Sequence, residues 1–168
     1  MKVAIVGSGR TRVEAPFYDD GWAVEGVGTF PLPRCTVWYE VHDPVKVIGS
    51  YHAMLQSMGV VWCADPMVAV VLGAPARLMD MPAMEARFGT EFLSSSVSIA
   101  MAWSIMRGAS AIGLWGVEQS LKGVYEDQRP GTLHFIHLCR ELGIDVVMPD
   151  DCPLRFERGR YPNRDVVR

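Results

Sequence analysis

Apolar residues recur along the chain in short runs bounded by glycine and proline, not in long helical stripes. The first run, Val3-Ala4-Ile5-Val6, leads straight into Gly7-Ser8-Gly9-Arg10-Thr11. An unbroken apolar run of this length at the start of a chain reads as a strand buried on both faces of a parallel sheet. Strand-like segments follow at residues 23–27, 36–41, 60–63, 111–115 and 145–148. Residues 96–107, rich in Ala, Met and Ile, end at Gly108, and residues 132–142 end at Gly143. Each of these helical segments leads into the next strand, the strand–helix–strand grammar of a parallel sheet. A shorter helix is predicted over residues 82–88, with proline in its first turn, and a weaker one over 45–58. Residues 73–82, with two prolines and a glycine, read as a loop.

The expected architecture is α/β: a three-layer Rossmann-like sandwich with a mostly parallel sheet of five or six strands. It occupies residues 1–154 as one domain, and an Arg-rich C-terminal arm occupies 155–168. A length of 168 residues with 49% hydrophobic and 21% charged content suits one domain with a full-sized core. The net charge of −3 argues against general nucleic-acid binding. It hides an asymmetry: five arginines against Glu157 and Asp165 give the arm +3, leaving −6 on the rest. Such an arm is solvated, packs on a partner (across a homodimer, for instance) or binds an anionic one. Cys35, Cys63, Cys139 and Cys152 form no C-x-x-C pair, and no secretory signal is read at the N-terminus. Free thiols in a cytoplasmic protein are therefore expected. No apolar stretch reaches the ~18 residues needed to cross a bilayer, so no membrane partner is expected.

Chemistry concentrates where strands end. Glycines after the first strand let the backbone turn tightly and let a ligand approach main-chain N–H groups. The run Gly7-x-Gly9-x-x-Arg12 lacks the third glycine of a dinucleotide fingerprint, and no Gly-Lys-Ser/Thr follows. The nearest acid for a ribose, Glu25, lies inside its own strand. Gly7, Ser8, Gly9, Arg10 and Thr11 are thus either a nucleotide or phosphate site or a plain tight connection. Ser94, Ser95 and Ser96 precede a helix. One serine serves as a cap, whereas three exceed that need, and the free N–H groups there suit a phosphate or a polar base edge. Gly116 and Glu118, at the end of the 111–115 strand, share the rim with the first turn and with His42 and Asp43.

Arg129, in the loop before the last helix, either holds a phosphate or carboxylate with its fork or bridges a neighbouring acid. Tyr125 or Trp115 is placed to stack on a base. His42 followed by Asp43 suits a general base with its orienting acid, provided the strand has ended there. His134 and His137 lie three apart on a helix without a carboxylate of matching spacing, so no metal site is expected. Nucleophile-elbow and zinc-protease motifs are missing from the sequence.

Residues 3–9, 38–44, 92–95 and 128–130 resemble, in this order, four segments of small Rossmann-like proteins common in bacteriophage genomes. These are a VAIVG-x-G start, a W-x-E-x-HDP strand, an F-x-SS helix start and a QRP loop. The match covers most of residues 3–154. More remotely, the layout is similar to bacterial sialyltransferases that use a CMP-linked sugar, and to motility-associated glycosyltransferase-like domains. That resemblance implies a nucleotide or nucleotide-sugar ligand among Gly7, Gly9, Ser94, Ser95, Gly116 and Tyr125. It also marks departures. Gly7-Ser8 stands where those enzymes have asparagine, Glu118 where they have aspartate, and the segment after Glu118 is shorter than their acceptor-covering lid. His134 is the candidate for the histidine of that lid.

The resulting expectation is a nucleotide or nucleotide-derived ligand at the carboxyl rim of the sheet. As a glycosyltransferase-like enzyme the protein would use His42 or His134 as general base. The alternatives are a non-catalytic phage protein that sequesters a nucleotide signal, acting in the host cytoplasm, and an assembly protein with a vestigial site. No cofactor is required by this reading beyond the nucleotide-type ligand.

Overall fold

A computed structural model describes residues 1–35, 37–119 and 127–155. Among these residues seven strands form one sheet: β1 (Lys2–Val6), β2 (Ala23–Val27), β3 (Val37–Glu40), β4 (Val60–Cys63), β5 (Ala76–Leu78), β6 (Ala111–Trp115) and β7 (Asp145–Val147). All neighbours are parallel, in the order β5-β4-β3-β2-β1-β6-β7. This is the α/β Rossmann-like sandwich that the apolar runs predict. The sheet has one strand more than expected, because β5 lies inside the segment read as a loop. It is a three-residue edge strand with Arg77 and Leu78 exposed, too short and too open to carry an apolar signature.

Among the described residues five helices cover the sheet: α1 (Gly49–Gln56), α2 (Pro66–Leu72), α3 (Met81–Phe88), α4 (Ser96–Met106) and α5 (Arg129–Glu141). The pattern did not predict α2, although its start is conventional. Asp65 accepts from the N–H groups of Met67 at 2.6 Å and Val68 at 3.4 Å, and Pro66 occupies the first turn. The 45–58 helix is shorter than expected: a 3-10 turn at Pro44–Lys46 and an extended Ile48 precede α1. α5 begins at Arg129, three residues before the predicted start, because Pro130 sits in the first turn, where a missing N–H costs nothing.

Strand alternation sorts the core into two layers. Val3, Ile5 and Tyr39 pack with α3, α4 and α5 on one face, while Ala4, Val6 and Trp38 pack with α1 and α2 on the other. Gly26 is paired with Trp38, whose ring fills the space of the missing side chain: a Cβ on Gly26 would lie 2.2 Å from a ring atom. Helix α4 lies against β1, β2 and β3 and against α3 and α5. With partners on both sides it is buried almost all round, hence its apolar composition.

One ion pair is sealed into the α4 layer. Glu25, 2% exposed, accepts from Arg107 Nη2 at 2.6 Å and from the Tyr39 hydroxyl, and Arg107 Nη2 also donates to Tyr39 at 2.8 Å. Burial, with the Glu25 charge beside it, raises the Tyr39 hydroxyl well above its ordinary range. Burial alone would lower Arg107, but its hydrogen bond with Glu25 and the neighbouring charges leave it raised. The network ties the end of α4 to β2 and β3 and removes Glu25 from any ligand role at the rim.

The chain steps outward from β1 to β5 and returns on the other side of β1 as β6. Between β1 and β6 the strand order changes direction, and a crevice lies at the carboxyl ends of this topological switch point. Of the predicted arm, only Arg155 lies among the described residues, paired with Asp150. Among the described residues no helix is long and apolar enough to cross a membrane.

Candidate functional site

The crevice is a cleft of about 270 Å³ at this switch point. Its walls are Gly7, Ser8 and Gly9 after β1, Val27 and Gly28 at the end of β2, and residues 116–119 after β6. The first turn of α4, through Ser96 and Val97, closes one side, with Gln128 beside it. Of the candidates read from the sequence, Gly7, Ser8, Gly9, Ser96, Gly116 and Glu118 line this cleft.

Two glycines allow it to exist. A Cβ on Gly7 would lie 2.5 Å from the Gly116 carbonyl oxygen, and one on Gly116 2.5 Å from that of Gly7. Gly116 also has φ +65, a left-handed conformation that favours glycine. The two strand ends thus meet backbone to backbone, with Gly7 N–H donating to Trp115 O at 2.8 Å and Gly9 N–H to Gly116 O at 2.9 Å.

Glu118 fills part of the turn expected to hold an anion. Its Oε1 accepts from Thr11 N–H at 2.9 Å and from Thr11 Oγ1 at 3.0 Å, and Thr11 Oγ1 accepts in turn from Gly116 N–H at 2.8 Å. The other carboxylate oxygen rests on Gly9, where a Cβ would fall 1.4 Å away. The amides of Gly7, Gly9 and Thr11 are therefore satisfied internally, and Thr11 serves as a buried anchor. Arg10 points outward and pairs with Asp151 at 2.5 Å. Arg12 lies over the Phe30 ring, 4.5 Å from its centroid.

The serines divide the work at α4. Ser95 is the N-cap: its Oγ accepts from Ser98 N–H at 3.0 Å, and Ser98 Oγ accepts from Ser95 N–H at 2.9 Å. Ser94 Oγ donates to Gln128 O at 3.4 Å, leaving Ser96 as the serine that lines the cleft.

Arg129 does not line the cleft. It is 4% exposed, and its guanidinium donates to Gln119 O at 3.1 Å and Pro153 O at 2.8 Å. Gln119, the end of the Trp115–Gln119 segment and given no role by the sequence reading, follows Glu118 with φ +36 and is 5% exposed, and its Oε1 has no hydrogen-bond partner. Its signal was slight: a polar residue beyond a strand-end glycine.

His42 sits just past β3, outside the cleft lining, and its acid is Glu40, not the exposed Asp43. The fully buried Glu40 carboxylate accepts from the His42 ring Nδ1 at 2.7 Å, from His42 N–H at 2.6 Å and from the Tyr51 hydroxyl. Burial, reinforced by Glu40, raises the Tyr51 hydroxyl far above its ordinary range. The Tyr51 hydroxyl also reaches Gly28 O at 3.2 Å, linking this cluster to the cleft wall. His134 is on α5, stacked on Phe92 with centroids 3.6 Å apart. Trp115 is a core residue packed edge-on to Trp22, not a platform for a base. Tyr125 lies outside the described residues. Among the described residues no three His, Cys, Asp or Glu side chains converge as a metal site would require.

No protein-family model matches the chain, and a search of curated proteins finds no significant match. Solved structures do match. One is the Campylobacter jejuni sialyltransferase CstII with the substrate analogue cytidine-5'-monophosphate, at 15% identity and TM-score 0.60. Another holds CMP-3FNeuAc, at 14% identity and TM-score 0.59. Each covers 90% of this chain and 80% of the enzyme. A third, with a trisaccharide acceptor and CMP, matches at 12% identity and TM-score 0.56 over 91% of this chain and 82% of the other. What the chain shares with these enzymes, at such identities, is the fold.

Proposed function

We propose that the protein binds a nucleotide or nucleotide-sugar in the cleft between the ends of β1 and β6 and belongs functionally with glycosyltransferase-like proteins. The observation that carries this reading is the cleft itself: a crevice at the topological switch point, floored by glycine backbone and flanked by the start of α4. The first-turn N–H groups other than that of Ser98, which Ser95 caps, and the hydroxyl of Ser96 suit the ligand's anionic group. The Glu118 oxygen resting on Gly9 suits a hydroxyl or amine. The fold likeness to enzymes solved with CMP makes that nucleotide the first probe.

Isothermal titration with CMP and a CMP-linked sugar tests the reading, together with thermal unfolding. A ligand of the native state stabilises by about 2.7 kcal/mol at a hundredfold excess over Kd. Saturable binding weakened by Ser96→Ala supports the site. Folded protein that binds neither compound refutes it.

Sugar transfer is the second element of the proposal, favoured by the Glu40–His42 pair. With Nδ1–H directed to a buried carboxylate, Nε2 is left as the basic nitrogen. This recommends His42 over His134 as general base for an acceptor held at the Gly28 side of the cleft, to which Tyr51 links the Glu40 cluster. Replacing His42 by Gln should abolish turnover of the CMP-linked sugar while leaving its affinity within about threefold. Binding without turnover in the wild-type protein would instead identify a sequestering protein.

A further inference from the structure

Gln119 stands out within the described residues. Its side-chain oxygen is buried without a partner, its backbone is left-handed at φ +36 without being glycine, and it lines the cleft. Buried polar atoms in folded proteins are almost always paired, so an orphan acceptor at a cleft wall marks a group whose partner arrives with a ligand. Non-glycine residues held at positive φ concentrate at sites where surrounding structure enforces the geometry. Here the enforcing group is Arg129: itself 4% exposed, it donates from Nη1 to the Gln119 carbonyl and from Nη2 to Pro153 O. The rigid fork of guanidinium fixes two acceptors at once, so the peptide of Gln119 is clamped between the start of α5 and the 3-10 turn Pro153–Arg155.

We infer that Gln119 is a specificity-determining residue that accepts a hydrogen bond from an N–H or O–H donor of the bound ligand. Arg129 is its positioning residue. This gives Arg129 a role exerted through Gln119, beside the anion ligand or acid bridge anticipated for it. This inference rests on the nucleotide reading above, and it adds a requirement that reading lacks: the ligand must bring a donor to one wall of the cleft. A site built to pair a donor discriminates strongly against an analogue without one, because its own polar atom is then left buried and bare.

Isothermal titration of the full chain with CMP, UMP and 2'-deoxy-CMP provides the test. UMP replaces the exocyclic amine by a carbonyl, and 2'-deoxy-CMP removes a sugar hydroxyl, so the two analogues separate a base donor from a sugar donor. Gln119→Ala is expected to weaken CMP at least tenfold and to erase the wild-type preference against one analogue, which names the donor. Arg129→Met should weaken CMP at least tenfold in the wild-type background and less than twofold in the Gln119→Ala background. Arg129→Lys, which keeps a donor to one carbonyl, should recover part of the loss and serves where Arg129→Met is unstable. A purely structural Arg129 would weaken binding equally in both backgrounds, and that result overturns the positioning role. CMP binding that Gln119→Ala leaves intact overturns the inference while the nucleotide reading stands. Absence of binding by all three compounds overturns both.

Discussion

Alanine at Gly7 and at Gly9 should have opposite consequences, although the two glycines belong to one turn. At Gly7 the new Cβ meets the backbone oxygen of Gly116 at 2.5 Å, which cannot move unless the ends of β1 and β6 separate. Separation strains two bonds, Gly7 N–H to Trp115 O and Gly9 N–H to Gly116 O. Each is worth about 1 kcal/mol net, and overpacking adds about 2 kcal/mol, so Gly7→Ala should cost roughly 4 kcal/mol in all. At Gly9 the three atoms nearest the new Cβ all belong to the end of the Glu118 side chain. The Gly9 backbone, φ −68 and ψ 175, is one that alanine adopts freely, and restricting the unfolded chain returns ~0.4–1 kcal/mol. The half-buried Glu118 carboxylate can swing away from Thr11 and be hydrated, so Gly9→Ala should change stability by about 1 kcal/mol or less. Urea unfolding followed by tryptophan fluorescence measures both. Ligand binding should nevertheless fall in Gly9→Ala, since the methyl and the displaced carboxylate enter the cleft. Equal stability losses at the two positions would refute the reasoning, because they would mean that Glu118 is as immovable as backbone.

Replacing Arg107 by Met leaves the Glu25 carboxylate buried and unpaired, at an expected cost of about 3–5 kcal/mol in urea unfolding. The double variant Glu25→Leu/Arg107→Met should recover most of it, and a single-variant loss under ~1 kcal/mol would show that the pair contributes little. Burial raises the thiols of Cys35, Cys63 and Cys139 from 9.0 to about 11. Between these values the unfolded chain releases thiol protons that the folded chain keeps, so stability should fall as pH rises through 9 and level off past 11. The loss is about 1.4 kcal/mol per thiol at pH 10. Denaturation at pH 8 and pH 10, with and without Cys139→Ala, checks the slope, and an aromatic disulfide reagent should find these three thiols unreactive until the protein unfolds.

The fold was legible where burial is two-sided. In β1 and β6 every residue except Lys2 is buried, so continuous apolar runs marked them. The two elements that escaped notice lie at the open edge of the sheet, where that signal fades. In β5 only Ala76 is even partly covered. Helix α2 buries Val68 and Leu72 and leaves Met67, Val70 and Val71 exposed, so its apolar run had no helical period to betray it. Its Asp65-Pro66 start was the available clue, and local capping chemistry there was more informative than the hydrophobic pattern.

The site was legible only as far as local chemistry reaches. Strand-end glycines, the serine-rich helix start and Glu118 each advertise themselves within a few residues, and parallel topology brings their ends to one rim. Pairing between those groups has no such signature. Thr11 meets Glu118 across 107 residues of chain and Arg129 meets the Pro153 carbonyl across 24, in contacts set by how loops cross at the switch point. That is why the sequence left Arg129 between an anion ligand and the partner of a neighbouring acid, pointed to Asp43 as the partner of His42, and gave Gln119 no role. An arginine signals that an oxygen will be bound but does not say whose. The packing around β6 answers in part with two backbone carbonyls, those of Gln119 and Pro153, while the side-chain oxygen of Gln119 has no partner. On the proposed reading the cleft combines a donor side at α4 with an acceptor side at Glu118 and Gln119, and the ligand complementary to it carries an anionic group and hydrogen-bond donors on the same small molecule.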